Sequence, residues 1–308
     1  MLTDKQIDFV GKRKIAMITS LLVIVVSMVF VIIRGGLDYN IEFNGGYLVQ
    51  VALAEDQSIG EIRENFTASG LKGFELQEFS DTVQDDNYKK EIVIKIETSD
   101  ENTDDLEEAV VSTLDKSYGK GSYLIRQSST IGPKIGEELK SSAVYAIIFA
   151  SIGILLYITL KFQFRYGVAA IIAVLHDVLV TLGLFSILGS VLNIEVSLAV
   201  IAALLTIVGY SLNDTIVVFD RIRENRNNME DMNFEPLVNL SINETLRRTL
   251  LTSLTTLFVV LILFIFGGEV IRDLSTALLL GVIVGTYSSI FIASPIVIAW
   301  DNYTKRKK

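Results

Sequence analysis

Residues 196–219 read VSLAVIAALLTIVGYSLNDTIVVF: 18 uncharged residues, then Asp214, then five more uncharged ones. A hydrocarbon core of about 30 Å takes about 20 apolar residues at 1.5 Å each, so this run reads as a membrane-spanning helix with an acid set inside it. Five further runs of that kind lie around it. They are Ile15 to Ile33, Ser141 to Leu160, Tyr166 to Leu192 interrupted by His176 and Asp177, Thr249 to Gly268, and Leu274 to Trp300. Half of the 308 residues are hydrophobic, more than a soluble enzyme of this length carries. The expected fold is a polytopic α-helical membrane protein with six transmembrane helices.

Charge divides the chain unevenly. From Arg34 to Lys140 there are 11 Lys and Arg against 22 Asp and Glu, within a total of 27 against 36. An acidic domain is therefore expected between the first two spans. Inside it, residues 47–53 (YLVQVAL) alternate as a half-buried strand does, and Ser58 caps an amphipathic stretch from Ile59 to Ala68 closed by Gly70. Phe74 to Phe79 and Glu91 to Glu97 flank a polar turn. Thr103 opens a helix reaching Lys116, and Ser122 to Ser128 forms a last strand. The order βαββαβ predicts a small α+β ferredoxin-like domain, helices on one sheet face. Its carboxylates are scattered as on a solvated surface; strand addition to a polypeptide or rigid-body motion are the roles such a domain could take.

Lys and Arg in short loops resist translocation, so their distribution sets orientation. One side holds Lys5, Lys12 to Lys14, Lys161, Arg165, Arg221, Arg223, Arg226, Arg247, Arg248 and Lys305 to Lys308, whereas the short loops opposite carry only Arg272. The expected layout is a cytoplasmic N-terminus at 1–14, the first helix at 15–34, an external domain at 35–140, five helices within 141–300, and a basic cytoplasmic tail at 301–308. Both termini are then inside. The long first run and the following Arg34-Gly35-Gly36 read as an uncleaved signal anchor.

The absence of cysteine and a single histidine exclude disulfides, thiolate metal sites and cysteine nucleophiles. No glycine loop of the nucleotide-binding kind is present, and the acidic domain offers no basic stripe to nucleic acid. No enzymatic activity, no cofactor and no metal are expected.

Ionisable side chains at bilayer depth are expensive and functional by default. Asp177, Asp214 and Arg248 qualify. Asp214 is roughly 27 Å along its span from the outer face, at 1.5 Å per residue, and Arg248 opens the next span from the cytoplasmic side, so an ion pair is geometrically permitted. Burial favours a neutral acid and a nearby guanidinium favours the carboxylate, so sliding one helix on the other would load or release a proton. Alternatively Arg248 snorkels to lipid phosphate and Asp214 caps backbone in a wet vestibule. His176 and Asp177, with Asn213 as a further polar neighbour, form a possible secondary site, either a structural hydrogen bond or a relay. Gly281, Gly285 and Ser289 recur every four residues as a packing ridge.

The run Val208 to Asn225 (VGYSLNDTIVVFDRIREN) resembles the fourth-span signature of the SecF branch of the SecD/SecF protein-export family, within the resistance-nodulation-division superfamily. His176-Asp177-Val178, Thr181-Leu182-Gly183, Leu246 with Arg248-Thr249, Phe266-Gly267-Gly268 and the Gly281 to Ser294 pattern are similar to it as well. The resemblance implies an auxiliary subunit of the Sec translocase, multi-pass in the bacterial or archaeal cytoplasmic membrane. It would pair with SecD, associate with the SecYEG channel and act on a translocating polypeptide amid membrane lipid, using proton motive force. By motif match Asp214 and Arg248 fall on the family's intramembrane charged positions implicated in proton transport, a second carboxylate coming from the partner. The external segment LDYNIEFNGGY, Leu37 to Tyr47, departs from the family's Asp-Phe-Thr-Gly-Gly-Thr form at Glu42, Asn44 and Tyr47, so its Gly45-Gly46 turn is a safer expectation than any side-chain role. An exporter of small molecules or lipids built on half of such a transporter is the alternative, and a non-transporting scaffold a third. Sodium suits a buried carboxylate as a proton does.

Overall fold

The computed structural model describes residues 6–68, 73–79, 87–97 and 104–306. Among these, six helices are long and apolar enough to cross a membrane. Helix α1 (Arg13–Ile33) leads to the short α2 (Ile41–Asn44) and a small domain. The frame continues with α5 (Pro133–Lys161), α6 (Phe164–Leu192), α7 (Leu198–Asn228) and α8 (Phe234–Phe266). The sixth span is α9 (Gly268–Ser288) and α10 (Ser294–Arg306), joined by a π-helical turn, Ser289–Ala293. A local π-turn leaves part of the backbone ladder out of step and often marks a working part of a membrane helix.

Several helices overrun the apolar segments that announce them. Helix α5 starts at Pro133, whose fixed φ and missing N–H suit a first helical position, and α7 continues through the basic stretch to Asn228. Backbone hydrogen bonding carries a helix past the hydrocarbon edge until a cap or breaker stops it. Asn193 does so after α6, adopting the left-handed conformation at φ 53°. The frame is built around α6, α7 and the sixth span, which are largely buried, while α1, α5 and α8 turn apolar side chains such as Ile18, Phe149 and Phe258 outward.

The domain between α1 and α5 contains β1 (Gly46–Leu53), α3 (Ile59–Ala68), β2 (Phe74–Phe79), β3 (Lys90–Glu97), α4 (Asp104–Tyr118) and β4 (Tyr123–Ile131). The sheet is antiparallel in the order β2-β3-β1-β4, the ferredoxin-like arrangement that the element order predicts. Period-2 alternation puts Tyr47, Val49, Val51 and Leu53 on one face, where they pack with Ile62 and Phe66 of α3 and Val110 and Leu114 of α4. A capping box holds the start of α3: Glu61 Oε2 accepts from the Ser58 N–H at 2.8 Å and Ser58 Oγ accepts from the Glu61 N–H at 3.3 Å. Strand β4 runs three residues beyond its expected end at Ser128, because β1 continues to pair with it as far as Gly46 opposite Ile131. The expected Gly70 stop, the Thr103 helix start, most of the polar turn and the terminal Lys5, Lys307 and Lys308 lie outside the described residues.

Candidate functional site

Helices α7 and α9 meet along the small-residue ridge. A Cβ on Gly285 would stand 2.9 Å from Cβ of Ser211, and one on Gly281 would strike the Ile207 side chain. Both glycines are therefore needed for the backbones to approach, as the four-residue recurrence predicts. That approach brings two carboxylates of the frame among hydroxyl groups that the apolar runs conceal.

The first is Asp177 of α6, which is fully buried. Its Oδ2 accepts from Ser211 Oγ of α7 at 2.5 Å and from Ser288 Oγ of α9 at 2.7 Å. Its Oδ1 lies 2.9 Å from His176 Nδ1. Three helices are thus tied by one carboxylate. The His176 ring stacks on Tyr287 at 6.4 Å between centroids. Tyr287 Oη donates to the Ala16 carbonyl at 2.7 Å and accepts from Ser20 Oγ at 3.1 Å, so the network reaches α1. His176 Nε2 is buried with no hydrogen-bond partner among the described residues.

The second is Asp214, one turn further along α7 and 3% exposed. Ser253 Oγ of α8 donates to its Oδ2 at 3.3 Å, and Thr286 Oγ1 of α9 lies within hydrogen-bonding distance of that serine, at 2.7 Å. Three side chains meet Asp177, whereas among the described residues one long hydrogen bond reaches Asp214. Arg248 forms no ion pair with Asp214 among the described residues: its side chain is exposed, and it sits five residues before Ser253 on α8, about 7.5 Å along the axis. Thr249 beside it is buried, and its hydroxyl has no partner among the described residues. Asn213 is exposed on the other side of α7 and does not join His176 and Asp177.

The structure therefore brings His176 and Asp177 together on α6, sets Asp214 on the neighbouring α7, one turn from Ser211, and leaves Asn213 outside and Arg248 unpaired with Asp214. Ser211, Ser253, Thr286 and Ser288 were not singled out in the sequence. Their signal was hydroxyl side chains at helical spacing in otherwise apolar runs, a weak one because such groups also bond their own helix backbone, as Thr286 does to the Val282 carbonyl at 2.7 Å.

The N-terminal end of α7 is fastened to the small domain and the segment that leads into it. The Val196 N–H donates to the Asp38 carbonyl at 2.7 Å and the Asn40 N–H to the Val196 carbonyl at 3.0 Å. Glu42 Oε2 accepts from the Leu198 N–H at 2.6 Å, on the first residue of α7, where a carboxylate meets the positive end of the helix dipole. Lys95 of β3 pairs with Glu195 at 2.9 Å, both largely buried. Asn44 Nδ2 donates to the Tyr39 carbonyl and to Glu97, each at 3.1 Å, and Tyr47 is in the domain core. Glu42, Asn44 and Tyr47 of the divergent segment, whose roles the sequence left open, each hold this junction or the domain. The turn also holds, with Gly45 and Gly46 at φ 79° and 150°.

The model for the C-terminal region of the protein export membrane proteins SecD and SecF matches residues 110–303. A protein translocase subunit SecF from Thermodesulfovibrio yellowstonii is 40% identical over 302 residues, covering 97% of this chain and 96% of that one. The SecF of Rhodothermus marinus is 43% identical over 292 residues, covering 94% and 92%. The crystal structure of SecDF, a translocon-associated membrane protein from Thermus thermophilus, superposes with a TM-score of 0.80 at 39% identity over 98% of this chain. This chain spans 40% of that longer one. On the matched frame and the length shared with full relatives, the chain belongs to the SecD/SecF family of protein-export membrane proteins.

Proposed function

We propose that this chain is the SecF-type auxiliary subunit of a Sec translocase, working with SecD and the SecYEG channel to promote polypeptide translocation with proton motive force. It would do so in the cytoplasmic membrane, with both termini cytoplasmic and residues 35–140 external. The observation that carries the proposal is Asp214: an acid buried in a transmembrane frame, held by one hydroxyl, on the helix whose outer end is bonded to the small domain. A carboxyl shut away from water favours its protonated form, and a guanidinium brought into contact with it favours the carboxylate. Sliding or rotating α8 on α7 would move Arg248 toward Asp214 and make that exchange. The same displacement of α7 would pull on Glu42, Val196 and the Lys95–Glu195 pair, and so on the external domain.

One charge crossing 100 mV supplies about 2.3 kcal/mol, enough to bias a conformational equilibrium. The exposed face of α7, with Thr206, Gly209 and Asn213, is too small and polar to suit lipid. It fits a second helical half such as SecD, which could supply a further carboxylate. The exporter alternative loses ground because relatives matching over nearly their whole length are named translocase subunits.

The test is gradient-stimulated export in vesicles carrying Asp214→Asn together with SecD. Stimulation should vanish while gradient-independent translocation persists; full retention refutes the proton role of Asp214. An Asp214→Asn/Arg248→Gln variant that still couples export to the gradient would favour the scaffold reading. Replacing the proton gradient by a sodium gradient identifies the ion.

A further inference from the structure

A polar cavity of about 500 Å³ opens at the other end of the frame, where α5 ends, α6 begins and α7 leaves the apolar region. Lys161, Arg165, Arg223 and Arg226 line it, with Glu230 as the acid. It continues past Arg165 and Arg226 into a neighbouring recess bordered by Trp300, Asp301 and Lys305. Over both recesses, five cations face two carboxylates, a surplus of three.

The surplus is not neutralised from behind. Asp301, 4% exposed, is shared by three cations: Arg165 at 3.1 Å, Arg226 at 3.4 Å and Lys305 at 3.0 Å. Arg223 donates to the Lys161 carbonyl at 3.3 Å and lies over the Phe162 ring at 5.8 Å, which orders its guanidinium at the cavity wall. Arg165 Nε is buried with no hydrogen-bond partner among the described residues.

The setting decides which anion that surplus suits. Leu160, beside Lys161, is 88% exposed, and α5 carries a band of outward apolar side chains from there back to Phe149. Phe164 and Trp300 meet edge to face at 6.3 Å on the rim, the aromatic pair expected at a membrane interface. A phosphate in this cavity would have acyl-chain surface directly next to it. Planar guanidinium groups match phosphate oxygens, and basic recesses between transmembrane helices take anionic headgroups.

We propose that this cavity is a specific site for the phosphodiester headgroup of an anionic phospholipid, its acyl chains lying against α5 and the Phe164–Trp300 rim. The site stands independently of the proton reading, since none of its residues touches Asp214 or Asp177. It gives the α5–α6–α7 end of the frame a lipid that fills the charge surplus and holds the three helix ends in one arrangement.

The chain contains one tryptophan, and Trp300 borders the cavity, so the site reports on itself. The full chain is reconstituted in phosphatidylcholine vesicles containing a minor fraction of dibrominated phosphatidylglycerol, and Trp300 quenching is compared with that from dibrominated phosphatidylcholine at the same fraction. The expected result is stronger quenching by the brominated anionic lipid. In Lys161→Gln/Arg223→Gln, which leaves the Asp301 ion pairs untouched, preference for the anionic lipid should fall about fivefold or more per cation removed. Lys14→Gln/Arg247→Gln removes the same charge elsewhere on that side and should keep the preference. Equal quenching by both lipids, or equal losses in the two double variants, would reduce the effect to diffuse surface attraction and overturn the proposal. Relief of quenching by millimolar inorganic phosphate, with neutral salt at equal ionic strength as control, would assign the cavity to a soluble phosphate and overturn it as well.

Discussion

Replacing Glu42 by alanine tests whether the small domain and the Asp214 helix are one mechanical unit. Glu42 supplies a charged acceptor, 2.6 Å from the Leu198 N–H, at the first residue of α7. Helix-cap deletions cost about 1 kcal/mol, and a hydrogen bond to a charged group is worth about 1.5–3 kcal/mol net. Glu42 is half-buried and Ser197 Oγ still accepts from the Val200 N–H at 3.4 Å, so a loss of about 1–2 kcal/mol, confined to the first turn, is expected. That is a factor of about 5–30 in the local opening equilibrium. Hydrogen exchange followed by peptide mass analysis reads it directly: amides 198–201 should exchange faster by that factor. The glycine-packed middle of α7 and strand β1 should stay unchanged. Glu42→Gln, which keeps an acceptor oxygen and loses the charge, should fall between. Identical exchange in the first turn of Glu42→Ala and the parent would refute the claim that this side chain fastens domain to helix.

Other outcomes follow from the same geometry. Asp177→Leu strands the Ser211 hydroxyl and His176 Nδ1 in the core, at about 1–3 kcal/mol for each unsatisfied group, and leaves Ser288 Oγ only the Gly285 carbonyl, so it should fail to accumulate as folded protein, while Asp177→Asn survives; membrane levels and detergent melting distinguish them. Gly281→Val drives a side chain into Ile207 and should cost about 1–3 kcal/mol by overpacking, seen as a lower melting temperature than the exposed control Gly209→Ala. Glu75 of β2, which lines a recess with Lys95 and Glu195, has its carboxyl held above the ordinary range by burial first and by Glu195 second. Its ionisation therefore opposes folding, and the penalty is present above that raised value and disappears as pH falls through it. Glu75→Gln should melt higher than the parent at pH 8, with the gap closing on acidification; a gap independent of pH would point to packing instead.

Much of the frame is legible in the residues because length and periodicity are local. A run such as Ile15 to Ile33 can satisfy its backbone in lipid as a helix on its own, and YLVQVAL declares which side chains face the core wherever its partners lie. Helix ends were less legible, since α5 begins at Pro133 and α7 runs to Asn228, beyond the apolar residues that mark the spans. Asp177 and Asp214 also stand out, because a carboxylate in an apolar run has no ordinary reason to be there.

Partners are another matter. The sequence permits an Asp214–Arg248 pair, and the structure gives Asp214 a serine instead; it offers His176 as a neighbour of Asp177, and the structure adds Ser211 and Ser288. Each depends on the rotation of one helix about its axis relative to another. That rotation is set by where glycines such as Gly281 and Gly285 let backbones touch, far apart in the chain from the groups they bring together. Hydrophobic length and alternation, properties of neighbouring residues, determined the six spans and the domain; the choice of hydrogen-bond partner, a property of packed surfaces, was decided by the tertiary structure.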